Sequence, residues 1–276
     1  MTVAMALSQA AARLGAAGVP DPRREARWLL LATGAPDPLL YPESPLAEHG
    51  AAFHQAVARR ERREPFAYIV GRREFYGIDL TVGPAVLIPR PETEGLVERA
   101  LELAPLRGWV ADLCTGSGAV AVALALRRPD LRVDAADISA PALDVAAANA
   151  RRHGLEARLR LYRGDLWAAL PEAAYALCTC NPPYVEEGQW PALEPEVRDW
   201  EPRMALVTSE GWAEIYRRLA AGAMERLAPG GRLVAEIGAG QDAAVADIFS
   251  GAGLRRVRVA PDLAGMPRYA EGVRPE

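Results

Sequence analysis

The stretch from 109 to 127 restricts the possible folds more than any other part of the chain. A short apolar run, 109–113, leads into the tight turn Cys-Thr-Gly-Ser-Gly and then into a helix of small residues, 119–127. Apolar runs and helical segments keep alternating as far as residue 259, which is typical of a parallel sheet covered by helices. The predicted strands are 109–113, 131–137, 159–162, 175–179, 232–237 and, as the last, 254–259; the predicted helices are 119–127, 139–154, 211–227 and 241–249. The sequence therefore predicts an α/β domain.

The first 70 residues have a different, helical pattern. One apolar stripe is formed by Leu7, Ala10, Ala11 and Leu14. Asp21 and Pro22 are typical of a helix start, with the aspartate as N-cap and the proline in the first turn. A third helix is predicted over 45–62, and its end carries Arg59, Arg60, Arg62 and Arg63. This arginine run is either a solvated helix end favoured by the helix dipole or a basic face for an anionic partner.

Between these two regions lies a segment rich in aromatic and β-branched residues. From Pro65 to Val82 such residues are interrupted by Gly71 and Gly77, which indicates a β-hairpin. Pro91 can then open a helix with acidic residues in its first turn. We therefore divide the chain into a helical domain (1–70), a β-hairpin connector (71–88) and an α/β domain (89–276).

Composition excludes several classes of protein. The 276 residues include no lysine and carry a formal net charge of −4, so the chain is not a general polyanion binder. Three cysteines, at 114, 178 and 180, make neither a disulfide framework nor a Cys-x-x-Cys metal pair, and we predict no metal site. The chain has no basic leader and no apolar run near the roughly 20 residues of a membrane span. We expect a cytoplasmic protein with no membrane contact.

Three strand ends carry residues suited to a nucleotide-like ligand. Gly116-x-Gly118-x-x-Ala121 follows a strand and opens a helix, so that a ligand can approach the backbone closely. Asp137 lies about 20 residues further on, where an acid can bind ribose hydroxyls. Asp165 ends the next strand and is placed to accept from an adenine amino group. This pattern alone fits NAD as well as S-adenosylmethionine.

The fourth strand end carries Asn181-Pro182-Pro183-Tyr184. Two prolines fix φ and restrict the residue before each of them, so this turn is stiff. The Asn181 side-chain oxygen and the proline carbonyls are then acceptors at fixed positions, able to hold an NH₂ group. Parallel strands place their carboxyl ends together, and we expect all four strand ends to meet in one crevice.

The order of these motifs resembles the class I S-adenosylmethionine-dependent methyltransferases. The Asn-Pro-Pro-Tyr turn is similar to that of enzymes that methylate planar nitrogens. Further motifs resemble the release-factor glutamine methyltransferases over nearly the whole chain: Phe-Ala-Tyr-Ile-Val-Gly-Arg-Arg-Glu-Phe-Tyr-Gly, Val-Leu-Ile-Pro-Arg-Pro-Glu-Thr-Glu, Trp-Glu-Pro-Arg-Met-Ala-Leu, Leu-Val-Ala-Glu-Ile-Gly-x-Gly-Gln and Asp-Leu-Ala-Gly-x-x-Arg. Cys114 departs from the family, which usually has glycine there, and makes the turn less tolerant of positive φ.

The resemblance implies a seven-stranded, Rossmann-like methyltransferase domain after a small helical domain. It implies transfer of a methyl group from S-adenosylmethionine to the Gln side chain in the Gly-Gly-Gln loop of class I peptide chain release factors. Because the helical domain has no catalytic constellation and carries the arginine run, we expect it to dock the substrate. We expect a monomer. The implied cofactor-binding residues are Cys114, Thr115, Gly116, Ser117, Gly118, Asp137, Asp165, Leu166 and Asn181. The substrate would contact Asn181, Pro182, Pro183 and Tyr184, with Asn181, Pro182 and Tyr184 taking part in catalysis. Tyr184 would either pack on the substrate amide or close the pocket.

Three other functions fit part of the sequence. A nucleic-acid N-methyltransferase would stack a flipped base on Tyr184, but it would need a basic channel, and no direct nucleic-acid substrate is expected. An NAD-dependent oxidoreductase would explain the glycine turn but leaves the Asn-Pro-Pro-Tyr turn without a role. A non-catalytic binding module would not need the acidic residues and Asn181 to be intact.

Overall fold

The computed structural model describes residues 1–104, 107–171 and 174–276. The helices are α1 (Val3–Ala16), α2 (Pro22–Ala32), α3 (His49–Glu61), α4 (Phe66–Val70), α5 (Pro91–Leu103), α6 (Ala119–Arg127), α7 (Ala140–Arg152), α8 (Pro195–Arg198), α9 (Trp212–Arg226) and α10 (Asp242–Gly251). The strands are β1 (Arg72–Phe75), β2 (Ile78–Thr81), β3 (Gly108–Leu113), β4 (Leu131–Asp137), β5 (Leu159–Arg163), β6 (Tyr175–Cys180), β7 (Leu227–Glu236), β8 (Arg255–Pro261) and β9 (Pro267–Val273). The chain divides into two compact units, Met1–Arg72 with Glu194–Trp200, and Arg73–Leu193 with Glu201–Glu276.

The first unit is helical, as predicted, and its core is made by the apolar faces of α1, α2 and α3. Leu14, Leu29 and Phe53 are fully buried there. Three details differ from the prediction. Asp21 precedes α2 but has φ of 48° and no side-chain capping bond, α3 begins at His49, and Phe66–Val70 forms a helical turn before the β1–β2 hairpin.

Three of the four arginines of the run 59–63, at the end of α3, form ion pairs within the first unit. Arg60 is 4% exposed, and its guanidinium donates to Glu25 at 2.8 Å and to Glu196 at 2.9 Å. Arg63 also donates to Glu196, and Arg59 pairs with Glu64. For these three arginines neither interpretation holds, because each one is paired with an acidic side chain; Glu64 is close in the sequence, whereas Glu25 and Glu196 are distant. Glu196 lies in the 194–200 segment, which the sequence placed with the α/β domain. Arg62, the fourth arginine of the run, is exposed.

The second unit contains a twisted sheet with helices on both faces. Among the described residues its strand order is β5-β4-β3-β6-β7-β9-β8, parallel except for β9, which runs antiparallel to both neighbours. This confirms the seven-stranded, Rossmann-like class I methyltransferase fold with its preceding helical domain. The strand predicted as the last, 254–259, is not the last. The sequence prediction missed β9, because its glycine and charged residues are not typical of a strand. In the sheet β9 lies between β7 and β8.

Side chains of β3 alternate between the two faces of the sheet, as the pleat of a strand requires. Val110 packs into one core with α5 and α6, whereas Ala111 and Leu113 pack into the other with α9 and α10. Because β3 is covered on both faces, its carboxyl end is rigidly placed. The strand order reverses between β3 and β6, and in open α/β sheets ligands bind outside the carboxyl ends at this point.

Candidate active site

A cavity of about 350 Å³ opens at the carboxyl ends of β3, β4, β5 and β6. It confirms that these four strand ends meet. The predicted residues that line it are Cys114, Thr115, Gly116, Ser117, Asp137, Asp165, Leu166, Asn181 and Pro183. The predicted residues Gly118, Pro182 and Tyr184 do not line it in the described structure, although all three lie in the same two turns.

The turn after β3 uses left-handed backbone conformations at alternate residues. Cys114, Gly116 and Gly118 have φ of 56°, 56° and 78°. Cys114 thus adopts the positive φ that a glycine would reach more easily. A Cβ on Gly116 would meet nothing within 4 Å, whereas one on Gly118 would lie 3.1 Å from Cβ of Ala146. The first of these glycines leaves the backbone open to a ligand, and the second allows α6 and α7 to pack closely.

Asp137 braces this turn from the end of β4. Its Oδ2 accepts from the Gly116 N–H at 2.8 Å, and its Oδ1 accepts from the Ser139 N–H at 2.9 Å. Burial raises the pKa of Asp137, and the backbone bonds oppose that shift. Each carboxylate oxygen keeps a further lone pair for a ligand hydroxyl. The ribose-binding role of Asp137 stays a prediction, but its position beside the glycine turn agrees with it.

Asp112 lies beneath the same turn and was missed by the sequence analysis. It is 2% exposed, and its two oxygens accept from the hydroxyls of Thr115 at 2.6 Å and Thr179 at 2.7 Å. Burial raises the pKa of Asp112 to about 6. The carboxylate ties the turn after β3 to β6, the strand that Asn181 directly follows. The sequence signal that could have identified Asp112 is its position near the end of the predicted strand 109–113, two residues before the glycine turn.

Asp165 enters the cavity with a partner that the sequence did not predict. One oxygen of its carboxylate accepts from the guanidinium of Arg218 on α9, and Arg218 also donates to Glu210 at 3.1 Å. Both Asp165 and Arg218 are partly exposed, and both line the cavity. Oδ1 of Asp165 accepts no hydrogen bond from the described residues. It is the oxygen that would remain for an adenine amino group.

Asn181 is held at its amide nitrogen. Nδ2 donates to Oγ1 of Thr93 at 3.2 Å, and Thr93 donates to Oε2 of Glu236 at 2.8 Å. Tyr184 donates from its hydroxyl to the other oxygen of Glu236 at 3.1 Å. Tyr184 thus anchors the turn, and both roles predicted for it from the sequence, packing on the substrate amide and closing the pocket, stay predictions. Oδ1 of Asn181 accepts no hydrogen bond from the part of the chain that the structure describes.

A wall of the cavity comes from the segment 86–90. Buried Glu201 fixes this wall, accepting from the Ile88 N–H at 3.0 Å and from Arg90 at 2.6 Å. Thr93, Glu201 and Glu236 were all part of motifs that carried the family resemblance. Their contacts span 52 to 143 residues of sequence, so the motifs did not reveal what each side chain does.

Among the described residues, none of the three histidines lines the cavity. The described residues also contain no group of three or more His, Cys, Asp or Glu side chains that could hold a metal ion. No helix in the described ranges has both the length and the apolar character to cross a membrane.

Comparison with known proteins agrees with the geometry. Two family models match, the PrmC N-terminal domain over residues 5–71 and the methyltransferase small domain over residues 93–193. The release factor glutamine methyltransferase of Cereibacter sphaeroides is 46% identical, with 97% of each chain covered. That of Koribacter versatilis is 42% identical, covering 100% of this chain and 99% of the relative.

A solved structure shares the fold. A methyltransferase from Pyrococcus furiosus aligns with a TM-score of 0.55 at 15% identity, covering 83% of this chain and all of that one. At this identity the likeness concerns the fold alone. The sequence relatives decide the family: the chain belongs to the release factor glutamine methyltransferases.

Proposed function

We propose that this enzyme transfers a methyl group from S-adenosylmethionine to the side-chain nitrogen of the Gln in the Gly-Gly-Gln loop of class I peptide chain release factors. The observation that carries the proposal is the orientation of Asn181. Its NH₂ group is engaged by Thr93, so the carbonyl oxygen is the atom left to accept from a substrate at the cavity. The family membership of the chain supports the same substrate.

The cavity has the features that S-adenosylmethionine requires. Its volume of about 350 Å³ lies within the range of small-molecule sites. The open backbone at Gly116 allows close approach, and Asp137 and Asp165 offer acceptors for ribose hydroxyls and an adenine amino group. When bound, S-adenosylmethionine would supply an electrophilic methyl carbon on its sulfonium sulfur.

The residues of the turn after β6 would position the substrate amide. An amide nitrogen is a poor nucleophile because its lone pair is delocalised. Oδ1 of Asn181 and the carbonyl of Pro182 can each accept one N–H of the amide, which aims the nitrogen and favours the positive charge that grows on it. Both effects are positional and electrostatic, and they are strongest when the acceptors are held in advance.

The substrate is tested by mass spectrometry. The protein is incubated with labelled S-adenosylmethionine and, separately, with recombinant release factor, total RNA and DNA. We expect one methyl group on the Gln of the Gly-Gly-Gln peptide, and little label with Asn181→Ala. Label on nucleic acid with none on the release factor would overturn the proposal in favour of a nucleic-acid methyltransferase.

The cofactor is tested through Cys114. It is the one partly exposed thiol, since Cys178 and Cys180 are fully buried, and it lines the cavity. Alkylation by a maleimide should therefore slow when S-adenosylmethionine is bound, and NAD at the same concentration should have no effect. Protection by NAD alone would favour the oxidoreductase instead. The Cys114→Ser variant controls for labelling elsewhere.

We also propose that residues 1–70 dock the release factor and carry out no chemistry. The arginine run gives docking little support, because Arg59, Arg60 and Arg63 are paired internally. An exposed apolar loop supports it instead: Leu39, Leu40 and Tyr41 are 64%, 70% and 60% exposed. Such a contiguous apolar surface is typical of a contact site.

Docking is tested by comparing two substrates. Leu40→Ser should raise KM for a whole release factor and leave KM for a short Gly-Gly-Gln peptide unchanged, because the peptide is too short to reach a docking surface. Equal changes on both substrates would contradict docking. Light scattering during size-exclusion chromatography would test the prediction of a monomer.

A further inference from the structure

Two residues outside the Asn-Pro-Pro-Tyr turn control how that turn is held. Thr93, in the first turn of α5, is 5% exposed, and Glu236, at the end of β7, is 1% exposed. Between them they contact both ends of the turn. Asn181 reaches Glu236 through the Thr93 hydroxyl, and Tyr184 reaches the other carboxylate oxygen directly.

The hydroxyl of Thr93 gives this chain of hydrogen bonds a direction. A hydroxyl has one proton to donate and lone pairs that accept. In its ionised form the Glu236 carboxylate only accepts hydrogen bonds, so Thr93 donates to it. The lone pairs of Thr93 are then the atoms that face Asn181, and only the NH₂ group of Asn181 can bond to them.

An amide held in this direction presents its oxygen on the opposite side. If Asn181 rotated by 180° about its last side-chain bond, its oxygen would face the Thr93 lone pairs and its NH₂ would face the substrate. In that arrangement the hydrogen bond between Asn181 and Thr93 would be lost. The NH₂ group of Asn181 would also face the NH₂ group of the substrate, and two donors cannot bond to each other. The carboxylate thus selects one of two amide orientations of nearly equal shape.

We propose that Thr93 and Glu236 are positioning residues that fix the Asn181 amide with its oxygen toward the substrate nitrogen, acting through Asn181 rather than on the substrate. This inference rests on the proposed function, since it assigns the two residues to the same methyl transfer. Glu236 also holds the Tyr184 hydroxyl, so one carboxylate sets the orientation of the first residue of the turn and the place of the last.

The first test uses two substitutions at Thr93. Thr93→Val keeps the shape but removes the hydroxyl, and kcat should fall about 10- to 100-fold because Asn181 loses the bond that orients it. Thr93→Ser keeps the hydroxyl and should retain most of the wild-type kcat. The Kd for S-adenosylmethionine should stay unchanged in both variants. A valine variant with wild-type kcat, or a serine variant as slow as valine, would overturn the inference.

A double-mutant cycle separates positioning from a general structural role. If Thr93 acts through Asn181, then Thr93→Val should cost almost nothing further in kcat when Asn181 is already alanine. An equal fall in both backgrounds would overturn the inference. The melting temperatures of the wild type, the two single variants and the double variant show whether any loss of kcat reflects unfolding. If the three variants are destabilised equally, their kcat values can still be compared in the cycle.

Glu236→Gln provides an independent measurement. The glutamine keeps one acceptor oxygen, and with that oxygen toward Thr93 the direction of the chain survives while its NH₂ faces the Tyr184 oxygen. We expect a smaller fall in kcat than for Thr93→Val. A fall greater than that of Asn181→Ala would show a role beyond Asn181 and overturn the inference. The wild-type enzyme is tested on the release factor before any variant is compared. If it leaves the release factor unlabelled, the proposed function is wrong, and this outcome is distinct from a failure of the inference about Thr93 and Glu236.

Discussion

Two buried carboxylates lie beneath the two turns for which we propose a binding role: residues 114–118 after β3 (the cofactor turn) and residues 181–184 after β6 (the substrate turn). The two carboxylates are alike in geometry but differ in what they hold. Asp112 accepts from Thr115 and Thr179 beneath the cofactor turn, and Glu236 accepts from Thr93 and Tyr184 beneath the substrate turn. Burial raises the pKa of both carboxyl groups. Each of them pairs with two hydroxyls and joins a turn to a neighbouring element.

The two carboxylates differ in the kind of group that their hydrogen bonds hold in place. Beneath the cofactor turn, the hydroxyls fix backbone, and the backbone itself faces the cavity at Gly116. Beneath the substrate turn, the hydroxyl of Thr93 accepts from the amide of Asn181, whose oxygen is the acceptor that we propose for the substrate. We conclude that the cofactor turn depends on conformation, whereas the substrate turn depends on the orientation of one amide.

The largest effect is expected at Asn181, where the substrate turn acts through a single side chain. Asn181→Ala removes one preorganised acceptor and should lower the methyl-transfer rate by about two to three powers of ten. Affinity for the cofactor should change little, because Asp137 and the glycine turn remain. Single-turnover methylation at saturating cofactor measures this rate, and a rate near that of the wild type would remove Asn181 from the mechanism.

Asn181→Asp sharpens the same comparison. It preserves the shape and an acceptor oxygen, but replaces the NH₂ that donates to Thr93 with a second oxygen. Because the structure shows that donor bond, we expect the aspartate variant to be slow as well. If Asn181 served only to form the turn, aspartate would serve nearly as well, since both residues favour such turns.

A smaller effect is expected for Asp137→Ala, on the cofactor side. Charge-assisted hydrogen bonds to the ligand would be lost, at a cost of roughly 1.5–3 kcal/mol in binding. Because burial raises the pKa of Asp137, the wild-type affinity should also fall as pH drops through that pKa and the carboxylate is protonated. Calorimetric titration with S-adenosylmethionine checks both points, and an unchanged Kd for the variant would exclude Asp137 from the site.

Asp112→Asn should change the pH dependence of stability more than the chemistry. Burial raises the pKa of Asp112 to about 6 in the folded protein, from an ordinary value of 3.8, so the carboxyl group binds a proton more tightly in the folded state than in the unfolded state. This group therefore lowers stability as pH rises between those two values. Removing it should stabilise the protein more at pH 7.5 than at pH 5, by about 1 kcal/mol. Urea unfolding at both pH values measures the difference, and an equal change at each would contradict the assigned pKa.

The smallest effect is expected for Cys114→Gly. Cys114 has φ of 56°, a conformation that costs a side chain about 1–2 kcal/mol and costs glycine little. Glycine gains more freedom in the unfolded chain, which offsets part of that gain. The free energy of unfolding should therefore shift by less than about 1 kcal/mol, with Kd for the cofactor unchanged. A large loss of cofactor affinity would show that the thiol itself contributes to the site and would weaken the contrast between the two turns.

Local signals were enough to predict much of the second unit. The predicted bounds of α6, Ala119–Arg127, and of β4, Leu131–Asp137, agree with the structure, and Ser139 caps α7 as expected, accepting from the Ala142 N–H. These elements have strong periodicity and clear start and stop residues. In contrast, β9 was missed because its pairing with β7 and β8 depends on the sheet around it rather than on its own residues.

The sequence by itself determined the fold class, the family and the four strand ends that meet at the cavity, because these depend on local patterns and on the rule that parallel strands share one edge. Only the tertiary structure decided what the charged and hydroxyl side chains do. The arginines of α3 pair with Glu25, Glu64 and Glu196, and Thr93 and Glu236 hold Asn181. Most of those partners lie far apart along the chain, and a hydrogen bond depends on distance and direction in space, which residue spacing does not record.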